Sequence, residues 1–208
     1  LSRSRHLGRN DEGAWISGTD DVETLDIVTA AAEHNGARVG IDVAASQFFM
    51  KNKYQWASLK KEFNTTEQLE FLKMMIEKYH LVYVEDPFNE NDYAAFAELR
   101  KATKCIICGD DLFVTSAERI VTGVEAGSCD CVLIKPNQVG TLTDTFEAVN
   151  LAHSHGLETV MSHRSGETTD ETIAHLATAF GCIFLKCGVV GGERTAKLNE
   201  LIRIEEIL

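Results

Sequence analysis

The fold class is indicated by one stretch, residues 105–135, which runs CIICGDDLFVTSAERIVTGVEAGSCDCVLIK. An apolar run opens it at 105–108, a second closes it at 131–134, and an amphipathic helical pattern lies between them at 117–126. Each apolar run is too short for a helix and is typical of a strand that is buried on both faces. Strand, helix and strand in this order predict a βαβ unit with two parallel strands.

The same alternation continues along most of the chain. Strands are predicted at 37–43, 81–84, 105–108, 131–134, 157–161 and 182–185. Helices are predicted after the cap candidates Asp20 and Asp21, at the capping-box pattern of Thr65 and Gln68, and at 93–102, 117–126, 142–155, 171–180 and 193–207. The pattern predicts an α/β fold in which helices cover a parallel sheet.

Periodicity alone does not choose between a barrel and an open sheet. The chain has no Gly-x-Gly-x-x-Gly opening a helix and no phosphate-loop lysine motif, so nucleotide-binding open sheets lose support. The barrel is favoured because a charged residue stands at or just past the end of every predicted strand: Asp42, Glu85, Asp110, Lys135, His163 and Lys186. In a parallel barrel these ends converge on one face, where active sites are built.

The residue types in this ring indicate a chemistry. Three carboxylates close together would repel one another unless a cation lay among them, and a small set of hard oxygen ligands suits Mg²⁺. Of the two lysines, one ammonium can bind a carboxylate, and the other can serve as a general base if burial and neighbouring positive charge depress its pKa. His163, Arg164 and Ser165 are suited to a phosphate. Each residue alone is more often a cap, a loop charge or a structural histidine, so the prediction depends on the joint pattern.

Composition excludes some classes of function. Acidic residues number 32 and basic residues 20, giving a net charge of −12, which disfavours binding to a nucleic-acid backbone. No apolar run approaches the roughly 18 residues that a membrane helix needs. The basic segment 1–6 has no apolar region behind it, so no signal peptide is expected.

The six cysteines allow two interpretations. Cys105, Cys108, Cys129 and Cys131 could form a zinc site, but the second pair is separated by only one residue and both pairs adjoin apolar strand-like runs. Buried, reduced thiols are therefore the favoured prediction.

Six stretches of the sequence form a joint set: 40–46 (GIDVAAS), 84–88 (VEDPF), 109–112 (GDDL), 133–142 (LIKPNQVGTL), 162–168 (SHRSGET) and 193–206 (ERTAKLNELIRIEE). Together they resemble the enolase family, the phosphopyruvate hydratases of glycolysis. The resemblance spans nearly the whole chain. It implies a single domain, 1–208, that is the later part of the enolase barrel with about six consecutive βα units. The family's N-terminal α+β domain and first barrel strands are not in this chain, so either the natural chain is longer or this is an incomplete enolase.

The resemblance also implies roles for individual residues. Asp42, Glu85 and Asp110 match the ligands of a tightly held Mg²⁺. Lys135 matches the base that removes the C2 proton of 2-phosphoglycerate, and Glu12 matches the acid that assists departure of the C3 hydroxyl. The substrate-binding set comprises Lys186, which matches the lysine at the carboxylate, and His163, Arg164 and Ser165, the last two at the phosphate.

Three functions follow as hypotheses. The first is a Mg²⁺-dependent lyase that interconverts 2-phosphoglycerate and phosphoenolpyruvate. The resemblance implies that it is homodimeric, and the cysteines without a secretion signal predict a cytoplasmic location. The second is a catalytically incomplete barrel that serves as a binding or scaffold module. The third, a related barrel enzyme that removes a proton from a different carboxylate, is disfavoured by the 162–168 segment.

Overall fold

The computed structural model describes residues 6–208, so residues 1–5 of the basic N-terminal segment lie outside the described part. The strands are β1 (His6–Arg9), β2 (Trp15–Ser17), β3 (Gly40–Asp42), β4 (Phe49–Met50), β5 (Lys53–Trp56), β6 (Lys61–Phe63), β7 (Tyr83–Glu85), β8 (Ile106–Gly109), β9 (Cys131–Ile134), β10 (Glu158–Ser162) and β11 (Phe184–Lys186). The helices are α1 (Asp21–His34), α2 (Thr65–Tyr79), α3 (Tyr93–Ala102), α4 (Ala117–Ala126), α5 (Pro136–Val139), α6 (Leu142–Ser154), α7 (Thr172–Ala179) and α8 (Gly192–Glu205), with a 3₁₀ turn at Ala45–Phe48.

Six parallel strands form the central sheet in the order β3-β7-β8-β9-β10-β11. Each strand therefore pairs with the next parallel strand along the chain, and at least one helix connects each pair. The register sets Asp42 opposite Glu85, and Glu85 opposite Cys108, so the charged strand ends lie nearly level with one another. The predicted α/β fold and all six predicted parallel strands are confirmed.

The sheet curls into a partial barrel. Strands β3 and β11 lie at its two edges, yet the Lys186 ammonium at the end of β11 lies 2.8 Å from the Asp42 carboxylate at the end of β3. Between the same regions, the rings of Tyr83 and Phe184 meet edge-on with their centroids 6.1 Å apart. The two edges thus approach each other at the C-terminal face, as expected for part of a TIM-type barrel.

Apolar side chains fill both sides of this sheet. Its outer face, toward the helices, belongs to the main core, to which strand residues such as Val84, Ile107 and Val132 contribute. On the other face, Cys108, Cys131, Leu133 and Val160 form a smaller cluster, against which Tyr83 and Ile106 pack. Burial on both faces explains why the strands appear in the sequence as continuous apolar runs.

The start of α2 differs from the prediction. The capping box is formed by Asn64 and Glu67, each of whose side chains accepts a hydrogen bond from the other's backbone N–H, at 2.9 and 2.8 Å. The predicted pair, Thr65 and Gln68, is wrong by one residue. Gln68 is fully buried, where its amide accepts from Trp56 Nε1 at 2.8 Å and donates to the Pro87 carbonyl at 3.1 Å. Its side chain is therefore engaged in the core.

Two small antiparallel sheets were not predicted. Strands β1 and β2 form a hairpin, and β4, β5 and β6 form a three-stranded meander. The meander is fixed by Tyr54, which is fully buried and whose hydroxyl accepts a hydrogen bond from the Asn89 backbone at 3.0 Å. These strands are two to four residues long, too short to show a clear alternation of apolar and polar residues.

The four thiols considered for a zinc site, Cys105, Cys108, Cys129 and Cys131, are buried, as predicted, whereas Cys182 and Cys187 are partly exposed. All six cysteines are free. Burial raises the pKa of Cys105 to about 12, and the charge of Asp130 acts in the same direction. Within the part of the chain that the structure covers, no helix combines the length and apolar character needed to cross a membrane.

Candidate active site at the C-terminal rim of the sheet

The predicted site residues meet at one cavity. A polar cavity of about 190 Å³ opens at the C-terminal ends of the parallel strands. Its lining includes every predicted site residue except Glu85: Glu12, Asp42, Asp110, Lys135, His163, Arg164, Ser165 and Lys186. Residues up to 174 positions apart thus share one small space, as the predicted convergence of strand ends requires.

Lys186 joins the two edges of the partial barrel. Its Nζ lies 2.8 Å from Asp42 Oδ2 and 2.6 Å from Glu85 Oε1. Although burial opposes the charged form, the carboxylates of Asp42 and Glu85 raise the pKa of Lys186 above its ordinary range. Lys186 is accordingly a fixed positive charge at the rim.

Glu85 does not line the cavity and has no exposed surface. Its second carboxylate oxygen, Oε2, accepts a hydrogen bond from the Tyr83 hydroxyl at 2.7 Å. Burial, together with the charge of Asp42, raises the pKa of Glu85 to about 7, against the opposing effect of Lys186. A group with so little exposure keeps its charge only through such partners.

Lys135 and Asp110 form the second ion pair of the site. Lys135 Nζ lies 2.5 Å from Asp110 Oδ2, and both side chains are largely buried. The Lys135 backbone is held by the Thr115 hydroxyl, which accepts a hydrogen bond from its N–H at 2.9 Å. The other carboxylate oxygen, Asp110 Oδ1, is buried and has no hydrogen-bond partner among the described residues. A buried carboxylate oxygen without a partner is costly unless a cation or donor reaches it.

Asp110 also belongs to a compact group of three carboxylates. Among the described residues, Asp86, Asp110 and Asp111 are the group of three whose ligand atoms all lie within 4.8 Å of one another. Asp86 accepts hydrogen bonds from the backbone N–H groups of Asp110 and Asp111, both at 2.8 Å, and thereby shapes the loop after β8. Burial raises the pKa of Asp86 well above its usual range, and these two N–H groups oppose the shift.

Glu12 reaches the cavity from the β1–β2 hairpin. The Asn10 side chain accepts hydrogen bonds from the Glu12 and Ala14 backbones at 3.1 and 2.8 Å and closes the turn. Gly13 has φ +77°, and a Cβ there would lie 2.8 Å from the Val190 carbonyl oxygen, so the turn requires glycine. Glu12 Oε2 consequently lies 3.8 Å from His163 Nε2.

The segment after β10 supplies the remaining wall. His163 is buried. Its backbone N–H donates to the Lys186 carbonyl at 3.0 Å, which extends the pairing of β10 with β11. The Arg164 guanidinium donates to Asn137 Oδ1 at 2.8 Å and remains near the exposed side of the cavity. Arg164 and the exposed Ser165 hydroxyl therefore offer donors that an anionic ligand could use.

Two of three larger cavities among the described residues adjoin this charged rim and share residues with it. One of about 520 Å³ has a mostly apolar lining between α1, α2 and the meander, including Leu25, Trp56 and Met75. Another, of about 460 Å³, lies beside Trp15 and Val189. The first shares only Asp42 with the polar cavity, and the second shares Glu12, His163 and Lys186, but neither includes Asp110 or Lys135. The smaller cavity brings both ion pairs together and is therefore the better candidate for chemistry.

Comparison with known proteins identifies the family. The family described as "Enolase, C-terminal TIM barrel domain" matches residues 7–208. The chain belongs to this family.

Several curated relatives carry the name Enolase. That of Methanocorpusculum labreanum is 52% identical over 217 residues, covering 99% of this chain and 54% of the relative. That of Haloquadratum walsbyi is 52% identical over 206 residues, covering 95% and 51%, and that of Archaeoglobus fulgidus is 47% identical over 212 residues, covering 99% and 53%. The chain therefore spans about half the length of the curated relatives it matches.

The structure places further residues at or beneath this site that the sequence patterns did not single out. Asp86 and Asp111 line the cavity beside the predicted ligands, and each directly follows a predicted ligand in the chain, which was the available signal. Arg194 and Lys197 of α8 are almost fully buried beneath the 163–168 segment. Nothing in the helical pattern distinguishes these two cations from exposed ones, because their contacts come from distant segments.

Proposed function

We propose that this chain supplies the catalytic rim of a Mg²⁺-dependent hydro-lyase that interconverts 2-phosphoglycerate and phosphoenolpyruvate. One observation carries the proposal: in a member of the enolase family, a single cavity is lined by carboxylates, two lysines and the His163–Ser165 segment. Two lysines and an arginine suit a substrate with a carboxylate and a phosphate. A compact acidic group on the same wall suits a divalent cation.

The residues present fit such a cation. Asp110 Oδ1 is a buried oxygen without a partner, and the carboxylates around the cavity outnumber the cationic side chains. Asp42, Glu85 and Asp110 are the proposed ligands, on the basis of the resemblance, with Asp86 and Asp111 beside them. When bound, the cation would stabilise the second negative charge that develops on the substrate carboxylate.

Lys135 is the proposed base. Its ammonium is held by Asp110 at 2.5 Å, so it must give up a proton and leave that carboxylate before it can act. Its amine then takes the proton from C2, and the electron pair of the broken C–H bond moves into the substrate carboxylate. Lys186 remains charged and faces that carboxylate, which favours the doubly charged intermediate over the substrate.

Glu12 is the proposed acid for the second step. It lies on the β1–β2 turn and lines the same cavity as Lys135. In its protonated form it gives a proton to the C3 hydroxyl, the C3–O bond breaks, and water leaves as the C2–C3 double bond forms. Arg164 and Ser165 are proposed to hold the phosphate, with His163 beside them.

Ultraviolet absorbance of phosphoenolpyruvate tests the proposal directly. The full-length protein with Mg²⁺ and 2-phosphoglycerate should produce it, and EDTA should stop the reaction. Lys135→Ala should abolish exchange of the C2 proton with solvent while leaving Mg²⁺ affinity nearly unchanged. Lys101→Ala, at an exposed position of α3, is the matched control. Absence of turnover by the full-length protein with Mg²⁺ would reject the assignment.

The other predicted properties belong to the same proposal. They are a single domain at 1–208 equivalent to the later part of the family's barrel, a homodimer, and a cytoplasmic location. Sedimentation analysis of the full-length protein tests the dimer, and a sedimentation coefficient of a monomer across micromolar concentrations would reject it.

A binding or scaffold module is the second candidate. It is favoured by the sheet, whose edge strands β3 and β11 pair with no further strand among residues 6–208. Calorimetry with 2-phosphoglycerate on the 208-residue chain, with and without Mg²⁺, separates the two candidates. Tight binding that depends on the metal would argue against a mere scaffold.

A further inference from the structure

Arg194 is a buried cation whose side-chain hydrogen bonds all go to the segment after β10. It lies in the first turn of α8 and its side chain is 1% exposed. Its Nη1 lies 2.6 Å from His163 Nδ1 and donates to the Arg164 carbonyl at 2.7 Å. Its Nη2 donates to the Ser165 carbonyl at 2.8 Å. One guanidinium thus contacts three consecutive residues of the cavity wall.

These contacts determine which nitrogen of His163 carries the proton. A guanidinium has only donors and stays charged, so Nη1 can bond to His163 Nδ1 only if that nitrogen offers a lone pair. Nδ1 is then unprotonated, which leaves the neutral imidazole with its proton on Nε2. An imidazolium would set an N–H against the N–H of Arg194 inside a buried site.

We infer that Arg194 is a positioning residue that fixes His163 as a neutral imidazole and presents its Nε2–H as a hydrogen-bond donor toward an anionic oxygen in the cavity. Nε2 lies 3.8 Å from Glu12 Oε2, which is too long for a hydrogen bond, so this donor is available to a ligand. The choice of ligand rests on the proposed function, whereas the state of the imidazole does not.

The charges around His163 agree with this geometry. Arg194 and Lys186 face the ring as cations, and Glu12 and Glu167 face it as carboxylates. Burial lowers the pKa of His163, the positive charge of Arg194 lowers it further, and Glu12 opposes both. The neutral ring is therefore favoured near pH 7 although two carboxylates lie nearby.

Lys197, a second buried cation of α8, shows how a purely structural role would differ from the role inferred for Arg194. Lys197 is also 1% exposed and lies one turn further along α8. It donates to the Thr168 carbonyl at 2.6 Å and pairs with Glu167 Oε2 at 2.6 Å. Lys197 therefore fastens the same segment to the same helix, but none of its hydrogen bonds goes to His163. It provides a matched control.

Long-range ¹H–¹⁵N NMR of the ¹⁵N-labelled 208-residue chain tests the inference without substrate or metal. The chain carries seven histidines, so His163→Gln identifies the His163 signals. In the native protein at pH 7, two-bond ¹H–¹⁵N correlations should show a protonated Nε2 and a lone pair on Nδ1. A proton on Nδ1, a mixture of tautomers, or an imidazolium at pH 7 would overturn it.

Variants then test the part played by Arg194. Arg194→Met should produce a mixture of tautomers and move the His163 titration upward, toward the ordinary range of histidine, because both the donor and its charge are gone. Arg194→Lys should keep the Nε2–H tautomer because an ammonium still donates to Nδ1. Lys197→Met should leave the Nε2–H tautomer unchanged, because none of the Lys197 hydrogen bonds goes to His163. A pure Nε2–H tautomer in Arg194→Met would reduce Arg194 to a structural tether and reject the inference.

The design remains decisive if Arg194→Met fails to fold, since the native tautomer and the Arg194→Lys variant each give a result. It also stands apart from the test of turnover. An inactive protein with the Nε2–H tautomer would contradict the proposed function alone, and an active protein with a proton on Nδ1 would contradict this inference alone.

Discussion

Asp110 occupies a position between two possible sets of metal ligands. The resemblance combines it with Asp42 and Glu85, which in the structure contact the Lys186 ammonium. Proximity of ligand atoms combines it instead with Asp86 and Asp111. Both oxygens of Asp86 already accept backbone hydrogen bonds, which leaves them less capacity for a metal. Both oxygens of Glu85 are likewise engaged, by Lys186 and by the Tyr83 hydroxyl, so hydrogen bonding does not choose between the two sets.

Two matched substitutions distinguish the sets. Asp42→Asn should weaken Mg²⁺ binding at least about tenfold. Even substitution of a residue that only hydrogen-bonds to a metal ligand lowers metal affinity by about tenfold or more. Asp111→Asn should weaken it by less than about threefold, because a half-exposed charge outside the ligand set acts only through screened attraction. Calorimetric titration with MgCl₂ measures both. The reverse order of losses would assign the metal to the Asp86, Asp110 and Asp111 group.

At the scale of single elements, the first turn of α2 decides where that helix begins. Asn64→Ala removes the side chain that accepts the Glu67 N–H, and should lower the free energy of unfolding by about 1 kcal/mol. Thr66→Ala, at an exposed position in the same turn, should be neutral or slightly stabilising because alanine has the higher helix propensity. Urea unfolding followed by circular dichroism compares them. Equal stabilities of Asn64→Ala and the unaltered chain would show that the box contributes nothing.

Helix α4 provides a case in which packing outweighs propensity. Gly123 lies inside this helix, and a Cβ there would overlap the buried Phe113 ring. Gly123→Ala gains about 1 kcal/mol of helix propensity. It should nevertheless destabilise the fold, because overpacking a core costs about 1–3 kcal/mol.

The neighbouring Thr122→Ala is the control for that substitution. Thr122 is exposed on the same helix, so its replacement adds propensity without a clash and should be neutral or stabilising. Thermal unfolding of both variants gives the sign. A higher melting temperature for Gly123→Ala would mean that the Phe113 ring can move aside.

At the scale of the whole molecule, the cysteines report the cooperativity of the fold. Cys105, Cys108, Cys129 and Cys131 are buried, whereas Cys182 and Cys187 are partly exposed. Burial raises the pKa of Cys105, Cys108, Cys129, Cys182 and Cys187. Ellman's reagent at pH 8 should therefore label Cys182 and Cys187 first, because the thiolate of an accessible cysteine is the reactive form.

The other four thiols should react only as fast as the protein unfolds, and all six should react at once in denaturing urea. Rapid labelling of Cys108 or Cys131 in the native chain would show that the interior of the partial barrel opens without global unfolding. Zinc released in proportion to that labelling would instead support the alternative of a metal site.

Much of the fold could be predicted because its signals are local. Helices α3 and α4 begin and end at the predicted residues, and each parallel strand overlaps its predicted run. The hairpin, the meander and the capping box of α2 could not be predicted as well, since two- to four-residue strands and adjacent polar residues give ambiguous patterns. The candidate site was predictable as a set of residue types at strand ends, and the motifs of the resemblance gave those residues roles that remain predictions.

The sequence by itself determined the α/β alternation, the parallel strands and the charged residues at their ends, because periodicity and residue type act within a few positions of the chain. Only the tertiary structure decided which charges meet. It paired Lys186 with Asp42 across 144 positions, paired Lys135 with Asp110, and set Arg194 against His163. Electrostatic and hydrogen-bonding partners depend on distance in space, and only the curling of the sheet brings such distant residues within a few ångströms of one another.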